Sequence, residues 1–311
     1  RARQTSTFCI FSTVAVTAAT TLDGFQFQKS VAGTNGIDVT GSGDVVIENS
    51  RFWSTIADGN SESRAILVPT SYSGHLTIDD NFFGGVATDA FKNASWQRGV
   101  WSDGTAAQLT ITGNTFDHLR SALNLDGYDD AKSSVTGNLF TNDGSGISFG
   151  IPKGTTYASI TANTFTGVDT DYNFQNVTTP VVLDASHNVV TDAMKILGGT
   201  VDDSITGTDG VDIIAGGAGN DTLTGLGGDD VFDSAVASDL SSAAVGNDAI
   251  DGGTGIDTYV TTAALDATNL SLVGGKWVVS SGGTTDTLVN VERIDDAGTT
   301  DILLVGAGGY A

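Results

Sequence analysis

Along the first two-thirds of the chain, an aliphatic residue is followed five positions later by phenylalanine. The phrases are LDGFQF (22–27), IENSRF (47–52), IDDNFF (78–83), ITGNTF (111–116), VTGNLF (135–140) and ITANTF (160–165). A weaker seventh copy is ASHNVV (185–190). The closing positions, Phe27, Phe52, Phe83, Phe116, Phe140, Phe165 and Val190, are 25, 31, 33, 24, 25 and 25 residues apart. A second apolar pair follows most of them, for example Ile37/Val39, Ile66/Val68, Leu123/Leu125, Ile147/Phe149 and Met194/Ile196. Gly, Asp, Asn and Ser separate these runs, and helical spacing is absent. Two or three short strands per unit are therefore predicted. Such a unit cannot bury its apolar face alone, whereas stacked units share one continuous core. The expectation is a solenoid with a phenylalanine column inside it and an asparagine ladder (Asn81, Asn114, Asn138, Asn163) at one turn. An antiparallel β-sandwich is the competing arrangement, and the regular spacing argues against it.

From Gly198 the period changes to nine. The units are GGTVDDSIT (198–206), GTDGVDIIA (207–215), GGAGNDTLT (216–224), GLGGDDVFD (225–233), AAVGNDAID (243–251) and GGTGIDTYV (252–260). The sixth position is Asp203, Asp212, Asp221, Asp230, Asp248 or Asp257. The eighth is always apolar: Ile205, Ile214, Leu223, Phe232, Ile250 or Tyr259. A flexible Gly/Asp linker does not account for two fixed positions in a shared register. Two units depart from the rest: AAVGNDAID lacks the first glycines, and GGTVDDSIT has Val201 at the fourth position. Both open a run, so the first reads as a cap with an incomplete site.

These motifs carry two resemblances. The phenylalanine units resemble the right-handed parallel β-helix of pectate-lyase-like proteins. The nonapeptides follow G-G-x-G-x-D-x-U-x and resemble the RTX family of calcium-binding parallel β-rolls. The expected fold is therefore all-β: a right-handed parallel β-helix over 1–197, a calcium-binding roll over 198–260 and a C-terminal β cap over 261–311. Glycine takes left-handed backbone at low cost, and turn carbonyls with Asp carboxylates form the oxygen shell that Ca²⁺ prefers. In the RTX family each ion lies between turns two repeats apart, which implies pairing Asp203 with Asp221 and Asp212 with Asp230. The six sixth-position aspartates are thus the expected metal ligands and Ca²⁺ the expected cofactor. After Val260, NLSLVGGKWVVSS reads as a hairpin about Gly274-Gly275. NVERID resembles a segment that often follows RTX blocks and is expected to close the open end of the roll.

Composition sharpens this reading. The 311 residues carry a net charge of −24, with 37 acids. Only Glu48, Glu62 and Glu292 are glutamates. Asp suits turns and calcium better than Glu does. The charge disfavours nucleic acid and anionic membranes as partners, and no apolar run is long enough for a membrane span. The single cysteine excludes an internal disulfide. RARQTSTFCIFSTVAVTAAT places basic residues before an apolar stretch in the order of a signal peptide. Ser and Thr interrupt it, and an ordinary strand is expected. The two ends read as those of a piece of a longer chain.

Candidate chemistry gathers at the long units. Their extra residues fall after Phe52 and Phe83, on one edge of the solenoid, where solenoids usually bind. Lys92, Arg98 and Arg120 are candidate bases. Trp53, Asp89, Trp96, Trp101 and His118 are candidate substrate contacts, because aromatics beside acids and Arg suit sugar rings and uronates. Decoration of an exposed loop, wall cover by the tryptophans and a turn role for His118 are the plainer readings. The β-helix also resembles the catalytic module of alginate epimerases and polysaccharide lyases, although no Tyr-Asp-Pro-His-Glu-type signature is present. RTX repeats accompany type I secretion in Gram-negative bacteria, which implies a location outside the cell or on its surface. These residues point to two functions. The first is a calcium-stabilised module of a larger secreted, adhesin-like, S-layer or matrix protein, whose partners are Ca²⁺, polysaccharide or neighbouring copies. The second is a polysaccharide lyase or epimerase acting on uronate-containing glycans.

Overall fold

The computed structural model describes all residues except 1–5, 11–12, 30–32, 55–62, 86–97, 104–106, 152–153, 234–245, 263, 267, 297–301 and 304–311. The chain is all-β, and no helix occurs among the described residues. Its contacts divide it into two compact units, 1–173 and 174–311, so residues 174–197 belong to the second.

The first unit is a parallel β-helix with three strands per coil. One sheet stacks Phe25–Lys29, Arg51–Ser54, Phe82–Gly85, Thr115–Asp117, Leu139–Thr141 and Thr164–Thr166, in parallel and in register on the phenylalanines. A second sheet aligns Ile37, Ile66, Val100, Leu123, Ile147 and Tyr172. The third aligns Leu22, Ile47, Ile78, Ile111, Val135 and Ile160.

The phenylalanine column stands as expected. From Phe27 to Phe165, successive ring centroids are 4.7–5.1 Å apart and the planes lie within 10° of parallel. All six rings are buried. Stacked aromatic pairs contribute about 0.5–1.5 kcal/mol each beyond their area burial. The residue three places before each phenylalanine (Gly24, Asn49, Asp80, Gly113, Gly137, Ala162) has φ between 49° and 74°. Most are Gly, Asn or Asp, which tolerate left-handed backbone best.

The asparagine ladder comes directly after this left-handed residue. The Asn81 N–H and Nδ2 donate to Asn114 Oδ1 at 2.9 and 3.0 Å. Asn114 repeats both bonds to Asn138, and Asn138 to Asn163, all at 3.0 Å. Each Nδ2 also donates to a carbonyl of the preceding coil, as Asn114 does to Ile78 at 2.9 Å. The donors of every amide are thereby satisfied inside the wall.

The two insertions leave the same edge of the coil: between Ser54 and Ser63, and between Gly85 and Arg98. Asp58, Glu62, Asp89, Lys92 and Trp96 lie outside the described residues.

The second unit stacks two parallel sheets. One aligns Leu183, Ile205, Leu223, Ile250 and Leu288. The other aligns Ile196, Ile214, Phe232, Tyr259 and Ile294. Eighth-position residues therefore alternate between the sheets, two nonapeptides making one coil. The hairpin about Gly274-Gly275 is present, with Leu270–Val273 antiparallel to Lys276–Ser281. Thr284–Val289 and Arg293–Asp295 then run parallel to the last nonapeptide strands and continue the stack.

Asn114→Ala should lower the stability of the first unit by about 1–3 kcal/mol, because it strips the acceptor from two buried Asn81 donors. Urea unfolding followed by circular dichroism checks this, and no loss of stability would refute the structural role of the ladder.

Candidate metal centre

Each nonapeptide turn runs six residues from its first glycine to its aspartate. In the turns 216–221, 225–230 and 252–257 the second and fourth positions need unusual backbone. Gly217, Gly219, Gly228, Gly253 and Gly255 have φ between 97° and 145°. Leu226, at φ 81°, occupies the position filled by Gly217 and Gly253 in the other two turns. A branched residue there is strained.

The aspartates form two ladders. On one edge, Asp203 N–H donates to Asp221 Oδ1, Asp221 N–H to Asp248 Oδ1 and Asp248 N–H to Asp286 Oδ1, at 2.8–2.9 Å. On the other, Asp212 donates to Asp230, Asp230 to Asp257 and Asp257 to Glu292 Oε2, at 2.8–2.9 Å. Asp203 with Asp221 and Asp212 with Asp230 are thus stacked neighbours. The nonapeptide pattern marks the first six aspartates but misses Asp286 and Glu292, which lie beyond the nine-residue frame.

The ladder occupies Oδ1 of Asp221, Asp230, Asp248 and Asp257, while Asp203 Oδ1 accepts from Val181 N–H and Asp212 Oδ1 from the Thr208 hydroxyl, which leaves Oδ2. In Asp221, Asp230 and Asp257 this atom is buried without a hydrogen-bond partner. It lies where a side chain on the first glycine of its own turn would go. Asp221 Oδ2 is 2.2 Å, and Asp230 Oδ2 2.0 Å, from the point that a Cβ on Gly216 or Gly225 would occupy. The Gly252 carbonyl oxygen is 2.5 Å from that same point at Gly225. Bare oxygens converge there, and only glycine leaves room. The first two turns, 198–203 and 207–212, behave differently. Asp203 Oδ2 accepts from Gly199 N–H, and Asp212 Oδ2 from Thr208 N–H, both at 2.6 Å. For Asp248, residues 243–245 of its turn lie outside the described residues.

Burial makes these carboxylates hold their protons. It pushes Asp221 and Asp230 up to about 7, and neighbouring carboxylates add to the shift. Asp212, Asp248 and Asp257 rise to about 6 for the same leading reason. Buried carboxylate oxygens facing carbonyl oxygens are mutually repulsive, and a hard cation with an all-oxygen shell relieves that repulsion. The donor set fits Ca²⁺.

Residues 197–236 and 243–259 match the model of the RTX calcium-binding nonapeptide repeat, in four copies. The turn segment is of RTX type. No curated protein matches the chain. The RTX match covers the turns with free Oδ2 atoms and stops short of Asp286 and Glu292.

In the first unit the structure brings together only part of the candidate substrate set. The Arg98 and Arg64 guanidinium carbons each lie 3.9 Å from the Trp101 ring centroid. Asn124 pairs with Trp101 across the strands. Trp101 Nε1 and Asn124 Oδ1 are buried without partners. Burial pushes the Asp126 carboxyl above its ordinary value, and the Arg98 charge offsets a small part of this. Trp53 lies elsewhere, on the phenylalanine sheet, with Arg51 stacked 4.3 Å from its ring. His118 sits in a left-handed turn at φ 55°, with Nδ1 2.7 Å from Asp117 Oδ1. Arg120 is exposed, next to the strand partner of Arg98.

The raised carboxylates set a pH dependence. Between the ordinary Asp value of about 3.9 and about 7, the folded unit binds more protons than the unfolded chain. Without metal, its stability therefore falls as pH rises through that window. With Ca²⁺ the direction reverses, because protons compete for Oδ2. Melting in chelator should show a higher midpoint near pH 5.5 than near pH 7.5, and calcium titrations should show weaker binding at the lower pH. A midpoint and an affinity independent of pH would contradict the assignment.

Proposed function

We propose that residues 198–260 bind Ca²⁺ through Asp203, Asp212, Asp221, Asp230, Asp248 and Asp257, and that the chain is a calcium-stabilised module of a larger secreted or cell-surface RTX protein. The observation that carries this reading is the set of unpartnered Oδ2 atoms on Asp221, Asp230 and Asp257, each beside an obligatory glycine. Bound Ca²⁺ supplies positive charge between the stacked carboxylates. The chain supplies the rest: the ladder fixes each carboxylate, the glycines clear the space, and the eighth-position residues anchor the turns to the core.

Coupling between ion and fold suits export. Extracellular modules work with calcium affinities of roughly 10⁻⁴–10⁻³ M, so the roll would order only outside the cell. This favours a type I route from a Gram-negative bacterium and an adhesin-like, S-layer or matrix role, with polysaccharide or neighbouring copies as partners. The net charge of −24 disfavours nucleic acid. Among the described residues no helix is long and apolar enough to cross a membrane.

A second reading, a polysaccharide lyase or epimerase acting on uronate-containing glycans, draws support from the first unit. Arg64 and Arg98 stack on Trp101, whose buried indole N–H has no partner, and its strand partner Asn124 carries a buried amide oxygen that also has none. A sugar hydroxyl, as both donor and acceptor, suits that pair.

Two experiments test these readings. Calcium chelation should unfold residues 198–260 while the apolar β-helix persists, as followed by circular dichroism and limited proteolysis. Unchanged spectra and cleavage would remove the calcium reading. Uronate polymers incubated with Ca²⁺ give an absorbance assay for the unsaturated product. Turnover lost in Arg98→Ala would favour the enzyme over the structural module, and calcium-dependent assembly without turnover the reverse.

A further inference from the structure

The two carboxylate rows end differently, and the difference assigns a site outside the nonapeptides. On the first edge the last carboxylate is Asp286. Its Oδ1 accepts Asp248 N–H at 2.9 Å and its Oδ2 accepts the Tyr259 hydroxyl. Both oxygens are occupied, and that row is closed by a tyrosine. On the second edge the last carboxylate is Glu292. Its Oε2 accepts Asp257 N–H at 2.9 Å, and Oε1 has no hydrogen bond among the described residues.

The neighbourhood of Glu292 copies the turn before it. Around the point a Cβ on Gly225 would occupy, Asp230 Oδ2 lies at 2.0 Å and the Gly252 carbonyl oxygen at 2.5 Å. Around the equivalent point on Gly252, Asp257 Oδ2 lies at 2.5 Å and the Asn290 carbonyl oxygen at 2.1 Å. Asp257 is fully buried, and its Oδ2 has no partner. Asn290 thus stands where the next glycine would stand, and Glu292 where the next aspartate would.

The substitution of Glu for Asp has a geometric reason. Val289 pairs with Asp251 and Arg293 with Thr258. Three residues, Asn290 to Glu292, therefore cross the edge that six residues, Gly252 to Asp257, cross one coil earlier. Asn290 takes the left-handed backbone that this tight crossing needs, at φ 49°. The extra methylene of glutamate extends the carboxylate from the shortened turn to the ladder position.

We infer that Glu292 and the Asn290 carbonyl complete a further Ca²⁺ site with Asp257, and that the Asp286 row ends without one. This rests on the calcium reading above and deepens it. The segment after the repeats does more than cover the open end: it extends one ion row past the last nonapeptide and seals the other with Tyr259.

Counting calcium ions per chain on the intact 311-residue chain, by equilibrium dialysis and by titration calorimetry, tests this. Glu292→Gln keeps an oxygen for the Asp257 N–H but removes the charge, and should bind one ion fewer than the unaltered chain. Asp286→Asn should bind the same number as the unaltered chain. An undiminished count in E292Q, or a loss in D286N, overturns the inference while leaving the calcium reading intact. An unaltered chain that binds no calcium removes both. Should E292Q fail to fold, crystals of the unaltered chain grown with Ca²⁺ decide the matter. Ion density between Asp257 and Glu292 carries the site, and none there with ions at the other turns overturns it.

Discussion

One hydrogen bond recurs along both units: a side-chain oxygen accepts the backbone N–H of the equivalent residue one coil earlier. In the β-helix the acceptor is an asparagine amide. In the roll it is a carboxylate. The contact itself is nearly identical, 2.9 Å for Asn81 to Asn114 and 2.8 Å for Asp203 to Asp221. Its consequences differ. The amide carries its own donors, and Nδ2 bonds both to the next ladder oxygen and to a carbonyl behind it. The ladder is neutral and complete. A carboxylate has no donor to offer, so in Asp221, Asp230 and Asp257 the second oxygen is left without a partner, and those rungs lack a positive charge.

That deficit divides the molecule by chemistry. The first unit draws on burial of its phenylalanine and aliphatic columns, which requires nothing from the solvent. The second has small strands, wide glycine turns and two rows of stacked acids. Glycine raises the entropic cost of ordering each turn, and burial of the carboxylates makes them retain protons near neutrality. Calcium, when bound, meets both problems at once, since its binding free energy becomes folding free energy.

Much of this is legible in the sequence, and the remainder is hidden for definable reasons. The phenylalanine register, the asparagine ladder and the fixed sixth and eighth nonapeptide positions are periodic, and periodic positions in a solenoid become columns. The ladder role of Asp286 and Glu292 is not periodic: a hairpin intervenes and the final turn is three residues shorter than its predecessors. The left-handed backbone of Leu226 contradicts its residue type. The stacking of Arg64 and Arg98 on Trp101 depends on how strands realign after two insertions of unequal length, which sequence spacing does not encode. His118 stands out in sequence as a candidate contact, whereas the structure gives it a turn conformation that Asn142 and Gly167 adopt in the next two coils.

On the calcium reading, a cation between stacked carboxylates holds the roll together. Amide hydrogen exchange, resolved along the chain with and without Ca²⁺, addresses it at the ladder itself. The N–H groups of Asp203, Asp212, Asp221, Asp230, Asp248 and Asp257 should exchange slowly with calcium and rapidly without it, while those of Asn81, Asn114 and Asn138 stay protected in both. Equal protection of the aspartate amides in the two conditions would contradict it.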